Sequence, residues 1–339
     1  MNAPQPRPSA PLCRKRNSRE PGFFVSLWLG FMAGLCLLGT CSAALAQDSV
    51  LVRSDHSKNG SVEIHGKILR WTRKGLELQE EGRKDSRKFA SADVLGFRCS
   101  QSKDEQNAEQ EFRQGRYEEA LNLYRHEFIQ VNEAWKQNRI LEKIVRCYTA
   151  LGQNAQAMEF FLDLADREPE MPDEQFASAP LAWRANLADT AAENKAQQIL
   201  KQNRTPVAQL LCSSWLLGSK QRNEAIQTLQ GLCSNKDVRI ASLATALLWR
   251  TELTTLTAQK IDQWQTELQA IPQPLRGGAY FVLGQGLEKL ARYDDAAMAY
   301  LKCALAYTDD PLLAADARRL AAAALEKAGH PDEKAALLK

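Results

Sequence analysis

The residues from which catalytic and metal sites are usually built are scarce in this chain of 339 residues. Its four histidines are His56, His65, His126 and His330, and no two of them have the i, i+4 spacing of a zinc-binding helix. The sequence also lacks a G-x-S-x-G elbow, a phosphate-binding glycine loop with its lysine, and a dinucleotide fingerprint. We therefore predict no enzymatic activity, no metal and no cofactor. A hydrolase site between the strands and helices described below is the weakest alternative.

Closely spaced cysteines are missing as well. Beyond residue 46 the chain keeps five cysteines: Cys99, Cys147, Cys212, Cys233 and Cys303. No two of them form the C-x-x-C pattern of a zinc or redox site. All except Cys99 lie in apolar helical patterns, where a free cysteine behaves as a small buried hydrophobe. A Cys212–Cys233 disulfide is left open.

The first 46 residues have the pattern of an export signal. A basic stretch at residues 14–19 precedes an uncharged run, Phe23–Ala46, that ends in Ala44-Leu45-Ala46. Signal peptidase reads small residues at these positions, so we predict cleavage before Gln47 and a periplasmic or secreted protein. An inner-membrane anchor is the alternative, because the apolar run Phe23–Leu38 is long.

A charge excess of either sign is absent once this segment is set aside. The chain has 44 Lys and Arg and 41 Asp and Glu, of which residues 1–46 hold five and one, leaving 39 against 40. A near-neutral chain gives no electrostatic basis for binding nucleic acid. The expected partners are other envelope proteins or peptides, with membrane association only through an uncleaved signal.

Residues 48–99 have the pattern of a small β domain. Five short stretches rich in β-branched and aromatic residues predict strands: Val50–Val52, Val62–Ile64, Lys67–Trp71, Leu76–Leu78 and Val94–Leu95. A sheet of short strands must close into a barrel or pack against a neighbouring element, because its edges are otherwise unpaired. We predict a small SH3-like barrel. The basic stretch Arg83–Lys88 suits a peptide or nucleic acid, but a solvated loop is the favoured interpretation.

From Gln101 onward the apolar residues recur with the period of an α-helix. One arrangement of residues occurs three times. The first copy comprises Ala108, Phe112, Gly115, Tyr117, Ala120 and Tyr124. The second comprises Leu141, Ile144, Tyr148, Gly152, Ala157, Phe161 and Pro169, and a third comprises Tyr280, Leu283, Gly284, Leu287, Tyr293, Ala296 and Tyr300. This spacing resembles the tetratricopeptide repeat, a helix pair of about 34 residues.

The resemblance implies a mainly α fold, a right-handed α-solenoid of tetratricopeptide type preceded by the β domain. It implies two repeats over 101–171, degenerate helical repeats over 172–272, and a further repeat with a C-terminal cap over 273–339. A break near Glu170–Ala179 into two subdomains is the rival. Small residues at Ala120, Ala157 and Ala296 are expected to be buried, because they let paired helices approach each other.

The resemblance also implies a ligand groove. Five places on the first helix of each pair form the inner face of such arrays, and they select Glu105, Glu109, Phe112, Arg113, Arg139, Glu142 and Arg146. Glu109 and Arg146 replace the Lys and Asn with which some arrays clamp a peptide C-terminus, so that mode is not implied. Arg139 and Arg146 pair either with an acidic ligand or with Glu142 on their own helix. A groove filled by residues 172–200 would occlude these positions.

Export, repeats and the lack of catalytic groups predict a scaffold for protein–protein interaction in the cell envelope. The alternative is an accessory subunit of an envelope transport system, because exported tetratricopeptide proteins resemble accessories of proton-channel complexes related to the Tol and Exb systems.

Overall fold

A computed structural model describes residues 48–54, 60–184 and 189–337, which belong to one compact unit. The predicted signal segment and His56 lie outside the described residues. The described chain is mainly helical, with one antiparallel sheet at its N-terminal end. None of the helices described is both long and apolar enough to cross a membrane.

The sheet has five strands: β1 Asp48–Arg53, β2 Ser61–Thr72, β3 Gly75–Glu80, β4 Ser86–Ala90 and β5 Val94–Arg98. Their order is β4-β3-β2-β1-β5, so β4 and β5 form the edges. Two predicted strands are joined in the single long strand β2. The loop predicted at Arg83–Lys88 was wrong from Ser86 onward, because Phe89 pairs with Leu76 and carries β4 into the sheet. The SH3-like barrel stays a prediction.

The helices follow in a continuous series. They are α1 Lys103–Arg113, α2 Tyr117–Gln130, α3 Ala134–Ala150, α4 Asn154–Arg167, α5 Asp173–Phe176, α6 Thr190–Gln202, α7 Pro206–Leu216, α8 Arg222–Leu232, α9 Val238–Glu252, α10 Ala258–Ala270, α11 Gly277–Lys289, α12 Tyr293–Ala306, α13 Pro311–Ala328 and α14 Pro331–Leu337. Pro206 occupies the first position of α7, where its missing N–H leaves no helical hydrogen bond unmade. Helix α9 begins at Val238 because the Asp237 side chain caps it by accepting from the backbone N–H of Arg239.

The turns inside the first two predicted helix pairs have a left-handed backbone, which glycine adopts without strain. Gly115 lies between α1 and α2 with φ of 77°, and Gly152 lies between α3 and α4 with φ of 70°. The corresponding place between α11 and α12 is filled by Ala291, whose φ of 56° is unfavourable for a residue with a β-carbon.

Small residues lie where paired helices touch. Ala120, Ala157 and Ala296 are each 0% exposed, which confirms that they are buried. On α11, a β-carbon added to Gly284 would lie 2.6 Å from the Tyr300 ring on α12. The close approach of these helices therefore depends on the missing side chain.

The segment 171–184 packs against helices that precede it and helices that follow it. Phe176 packs edge-on against Phe161 of α4, with ring centroids 5.7 Å apart. Further along, Trp183 packs so tightly against Gly278 of α11 that a β-carbon there would overlap its ring. The Trp215 indole N–H of α7 donates to the Pro180 carbonyl at 2.8 Å. Helices before and after this segment share one hydrophobic core.

All five described cysteines are free thiols, so Cys212 and Cys233 are not bonded to each other. Cys147, Cys212 and Cys303 are buried as expected, whereas Cys233, which the helical pattern also places inside, is only half-buried. Burial raises the pKa of these three thiols to about 12, because the charged thiolate is poorly solvated inside the core.

Candidate functional site

The sheet is fixed to the helices through an apolar contact at the start of α3. Trp135 of α3 packs into the core of the sheet with Val50, Ile68 and Leu78, and its ring meets the edge of Phe97 at a centroid distance of 6.4 Å. Burial of an indole ring contributes more to such a junction than any single polar contact. The β domain and the helices therefore share an apolar core at Trp135.

Ion pairs at the end of the β2–β3 hairpin add to this junction. Arg70 bonds Glu168 at 3.1 Å, Lys74 pairs with Glu170, and the backbone N–H of Arg73 donates to the Glu170 carbonyl at 2.9 Å. These basic side chains of the β domain are thus engaged by acidic residues of the same chain.

Two adjoining cavities lie at this junction, and together we call them the junction cleft. The first, of about 590 Å³, lies between the sheet, α3, α5 and the end of α12. The second, of about 510 Å³, lies between β5, the β2–β3 turn and the start of α5. Four residues border both cavities: Trp71, Phe97, Glu174 and Pro274. The volume of each cavity is in the range of a ligand-binding pocket.

Aromatic and proline rings form much of the apolar wall. Trp71 and Phe97 meet edge to face with centroids 4.8 Å apart, at the boundary between the two cavities. Tyr307 borders the first cavity and Pro172 borders the second. Rings of this kind offer large contact area with little rotamer entropy to lose.

Arg146 borders the first cavity and contacts two carboxylates and an aromatic ring. Its guanidinium lies 3.4 Å from Glu142 and 2.9 Å from Asp309, and it covers the Phe112 ring at 5.5 Å from the centroid. Burial alone would lower the pKa of Arg146, but these carboxylates outweigh that effect and raise it. Arg146 therefore stays charged and is already paired within the chain.

The seven residues of the candidate groove separate into two groups. Arg139, Glu142 and Arg146 border the first cavity of the junction cleft. The other four, Glu105, Glu109, Phe112 and Arg113, lie outside its lining.

Intramolecular contacts occupy most of the predicted groove. Arg139 bonds Glu105 at 2.7 Å, and Glu109 accepts from the Tyr124 hydroxyl at 2.9 Å. Burial would raise the pKa of Glu109, but Lys143 and this hydrogen bond hold it below its usual value. Arg113, with 75% of its side chain exposed, is the one member that reaches well into solvent. Contacts within the chain therefore leave fewer of these side chains free for a ligand than the repeat pattern predicts.

The sequence analysis did not identify the aromatic and polar residues that line the cleft outside α3. Trp71 and Phe97 come from the sheet, Gln175 from the segment between α4 and α6, and Tyr307 from the end of α12. They are far apart in the sequence and share no motif. Packing alone brings them together.

Some polar atoms around the cleft are buried without a hydrogen-bond partner in the described chain. They are Nε of Arg146, Oε1 of Gln175 and Oδ1 of Asp173. The first is a donor and the other two are acceptors. A buried polar atom without a partner costs about 1–3 kcal/mol, so these three atoms reduce the stability of the walls of the cleft.

The described ranges contain no group of three His, Cys, Asp or Glu residues placed to hold a metal ion. No protein family model matches this sequence. A comparison with curated proteins likewise finds no match.

Proposed function

We propose that this protein is an exported, non-enzymatic scaffold of tetratricopeptide type that holds an extended polypeptide segment in the junction cleft. The observation that carries the proposal is the cleft itself, an open cavity with aromatic walls where sheet and helices meet. Grooves between packed modules are common sites of peptide recognition.

The helix pairs support the repeat assignment. Left-handed turns at Gly115 and Gly152 and buried alanines at Ala120, Ala157 and Ala296 are the features that the repeat pattern requires. We propose that the pairs form a right-handed solenoid and that the sheet is an SH3-like module at its N-terminal end.

The lining of the cleft favours a polypeptide over a small apolar ligand. An extended backbone offers N–H and C=O groups in alternation, and the polar residues Lys143, Gln175 and Gln273 border the first cavity. Trp71, Phe97 and Tyr307 supply apolar surface for side chains. Buried aromatic anchors of this kind contribute most of the affinity in peptide interfaces.

Site-specific photo-crosslinking in the native host tests the proposal. The photoreactive residue p-benzoylphenylalanine is placed at Leu95, which borders the second cavity and is 49% exposed, and at Tyr307. Ile129 on α2, which is 76% exposed, is the matched control for an exposed apolar position away from the cleft.

The expected result is a discrete crosslinked polypeptide from Leu95 and Tyr307 and none from Ile129. The same product from all three positions, or no product from either cleft position, overturns the proposal.

A further inference from the structure

We propose that the tip of the β2–β3 hairpin, residues 70–75, is an electrostatic latch over the second cavity of the junction cleft and opens as ionic strength rises. This inference concerns access to the cavity and does not depend on what binds there. It is carried by the charged contacts that hold the tip, by a bulge in the ladder that leads to it and by the cavity behind it.

Exposed charges hold the tip against the helical part of the chain. Three ion pairs do so: Arg70–Glu168 at 3.1 Å, Arg73–Asp237 at 3.4 Å and Lys74–Glu170. The Arg70 and Lys74 side chains are 57% and 75% exposed. Salt screens ion pairs of this kind, because the Debye length falls from about 30 Å at 0.01 M to about 3 Å at 1 M.

The apolar contact of the tip lies within the β domain. The Trp71 ring meets the edge of Phe97 on β5, and it packs with the apolar cluster of the sheet and not with the core that the helices share. Among the described residues, Trp135 is the helical member of that cluster. What joins the tip itself to the α4–α5 connection is therefore polar.

The ladder that leads to the tip is interrupted. Pairing between β2 and β3 shifts register between Ile68 and Arg70, which leaves Leu69 as the extra residue. A bulge disrupts the ladder locally and bends the strand, so the hairpin can pivot here while the pairs on either side stay formed. Leu69 is 40% exposed, and its side chain has room to follow this movement.

The second cavity lies behind the tip. On one side it is lined by Trp71, Thr72, Arg73 and Gly75, and on the other by residues 172–174 at the start of α5. The Arg73 backbone N–H donates to the Glu170 carbonyl at 2.9 Å and so joins the two sides. Separation of the tip from Glu170 therefore widens the cavity.

The side of the cavity formed by α5 stays in place when the tip moves. Arg239 is buried, donates to the Met171 carbonyl at 2.8 Å and covers the Phe176 ring, and so holds both ends of α5. Its guanidinium bonds Asp237 at 2.7 Å, so this carboxylate keeps a partner after Arg73 leaves it. Buried ion pairs are screened much less than exposed ones, so salt acts on the tip alone.

Amide hydrogen exchange, resolved residue by residue by NMR, measures the opening. The Arg73 N–H reports separation of the tip from the helices, because Glu170 accepts its hydrogen bond. The Ser91 N–H donates to the Lys74 carbonyl at 3.0 Å and is the control, since this bond lies within the β domain. Exchange is followed from about 0.01 M to about 1 M NaCl, and each rate is divided by the intrinsic rate at the same salt concentration.

Two variants separate the latch from general effects of charge. The double variant Arg70→Gln/Lys74→Gln removes two of the three ion pairs at exposed positions, which leaves the fold intact. Arg87→Gln is the matched control, because Arg87 is equally exposed but pairs with Glu80 inside the sheet.

We expect the wild-type Arg73 amide to exchange about five- to thirtyfold faster at the highest salt concentration than at the lowest, because three exposed ion pairs are screened together. The Ser91 amide should not change, the double variant should exchange fast at every salt concentration, and Arg87→Gln should behave like the wild type. An Arg73 amide with the same normalised rate throughout overturns the proposal. A parallel rise at Ser91, or wild-type salt dependence in the double variant, overturns it as well.

Discussion

The guanidinium of Arg146 on α3 and the carboxylate of Asp309 meet at 2.9 Å, which joins the second helix pair to the connection between α12 and α13. The surface that the repeat pattern predicts as an open inner face is therefore bridged by the C-terminal part of the chain. What remains accessible is the junction cleft beside the sheet.

Removal of this bridge should destabilise the protein. Arg146→Met leaves the poorly exposed Glu142 without its cation, so we expect the free energy of unfolding to fall by about 1–3 kcal/mol in urea denaturation. Asp309→Asn should cost less than about 1 kcal/mol, because Glu142 still pairs with Arg146. Arg113→Met, at an exposed position of α1, is the control and should change stability by no more than about 0.5 kcal/mol. Equal effects of Arg146→Met and Arg113→Met contradict the bridge.

A glycine at the third helix-pair turn should stabilise the fold. Ala291 has a left-handed backbone with φ of 56°, and removal of its β-carbon relieves strain of about 1–2 kcal/mol. The greater freedom of glycine in the unfolded chain offsets part of this gain, so Ala291→Gly should raise the free energy of unfolding by about 0.5–1 kcal/mol. Ala315→Gly on the exposed side of α13 should have the opposite sign. Thermal melts of both variants check the prediction, and two shifts of the same sign would contradict it.

The α11–α12 contact should tolerate no added methyl group. Gly284→Ala forces the buried Tyr300 ring to move, and we expect a loss of about 1–3 kcal/mol. Gly231→Ala, in α8 with open space around the new β-carbon, should instead gain about 0.5–1 kcal/mol from helix propensity. Equilibrium denaturation measures both, and a neutral Gly284→Ala would show that the helices are less tightly packed.

Protonation of the Asp237 carboxylate in acid should lower the stability of the folded protein. Burial of this carboxyl favours its neutral form, but hydrogen bonds from the Arg239 side chain and backbone hold its pKa below the usual value of 3.8. Because the folded pKa is lower than the unfolded one, this stabilisation is present above about pH 4 and is lost as pH falls through the folded pKa.

Asp237→Asn should therefore flatten the decline of stability below about pH 4, as followed by denaturation at a series of pH values. Asp163→Asn, at an exposed i, i+4 pair with Arg167, should leave the decline almost unchanged. An identical pH profile for the wild type and Asp237→Asn would contradict the assignment.

Export has its own test. We expect protein recovered from the envelope of the native host to begin at Gln47, since Ala44-Leu45-Ala46 precedes it. N-terminal sequencing of that material measures the start directly. Retention of residues 1–46 would favour the anchored alternative, and recovery from the cytoplasm alone would contradict export.

Features set by local chemistry could be predicted from the sequence. Gly115 and Gly152 mark turns because only glycine adopts φ near +70° without strain, and Pro206 marks a helix start because it lacks an N–H. Strand β4 was missed because its inward side holds one large apolar residue, Phe89, among basic neighbours. Antiparallel pairing with β3 holds this segment in the sheet, although its own sequence pattern does not indicate a strand.

The cleft could not be predicted, because no local rule relates Trp71 to Tyr307. Their proximity follows from the way α3, α5 and α12 pack around the sheet. The repeat pattern predicts Arg146 on the inner face, but its pairing with Asp309 depends on the path of the chain between them. Such contacts are decided by tertiary structure, which the repeat spacing does not encode.

Because residues 171–184 pack against both earlier and later helices, the number of helices between those contacts is fixed. In an open array each helix pair touches only its neighbours, so evolution adds or deletes pairs at small cost. Here Phe176 packs on α4 and Trp183 packs on α11, and one more helix pair between α4 and α11 would pull these contacts apart. Relatives of this protein should accordingly vary at their loops and termini while they keep the same number of helices between α4 and α11.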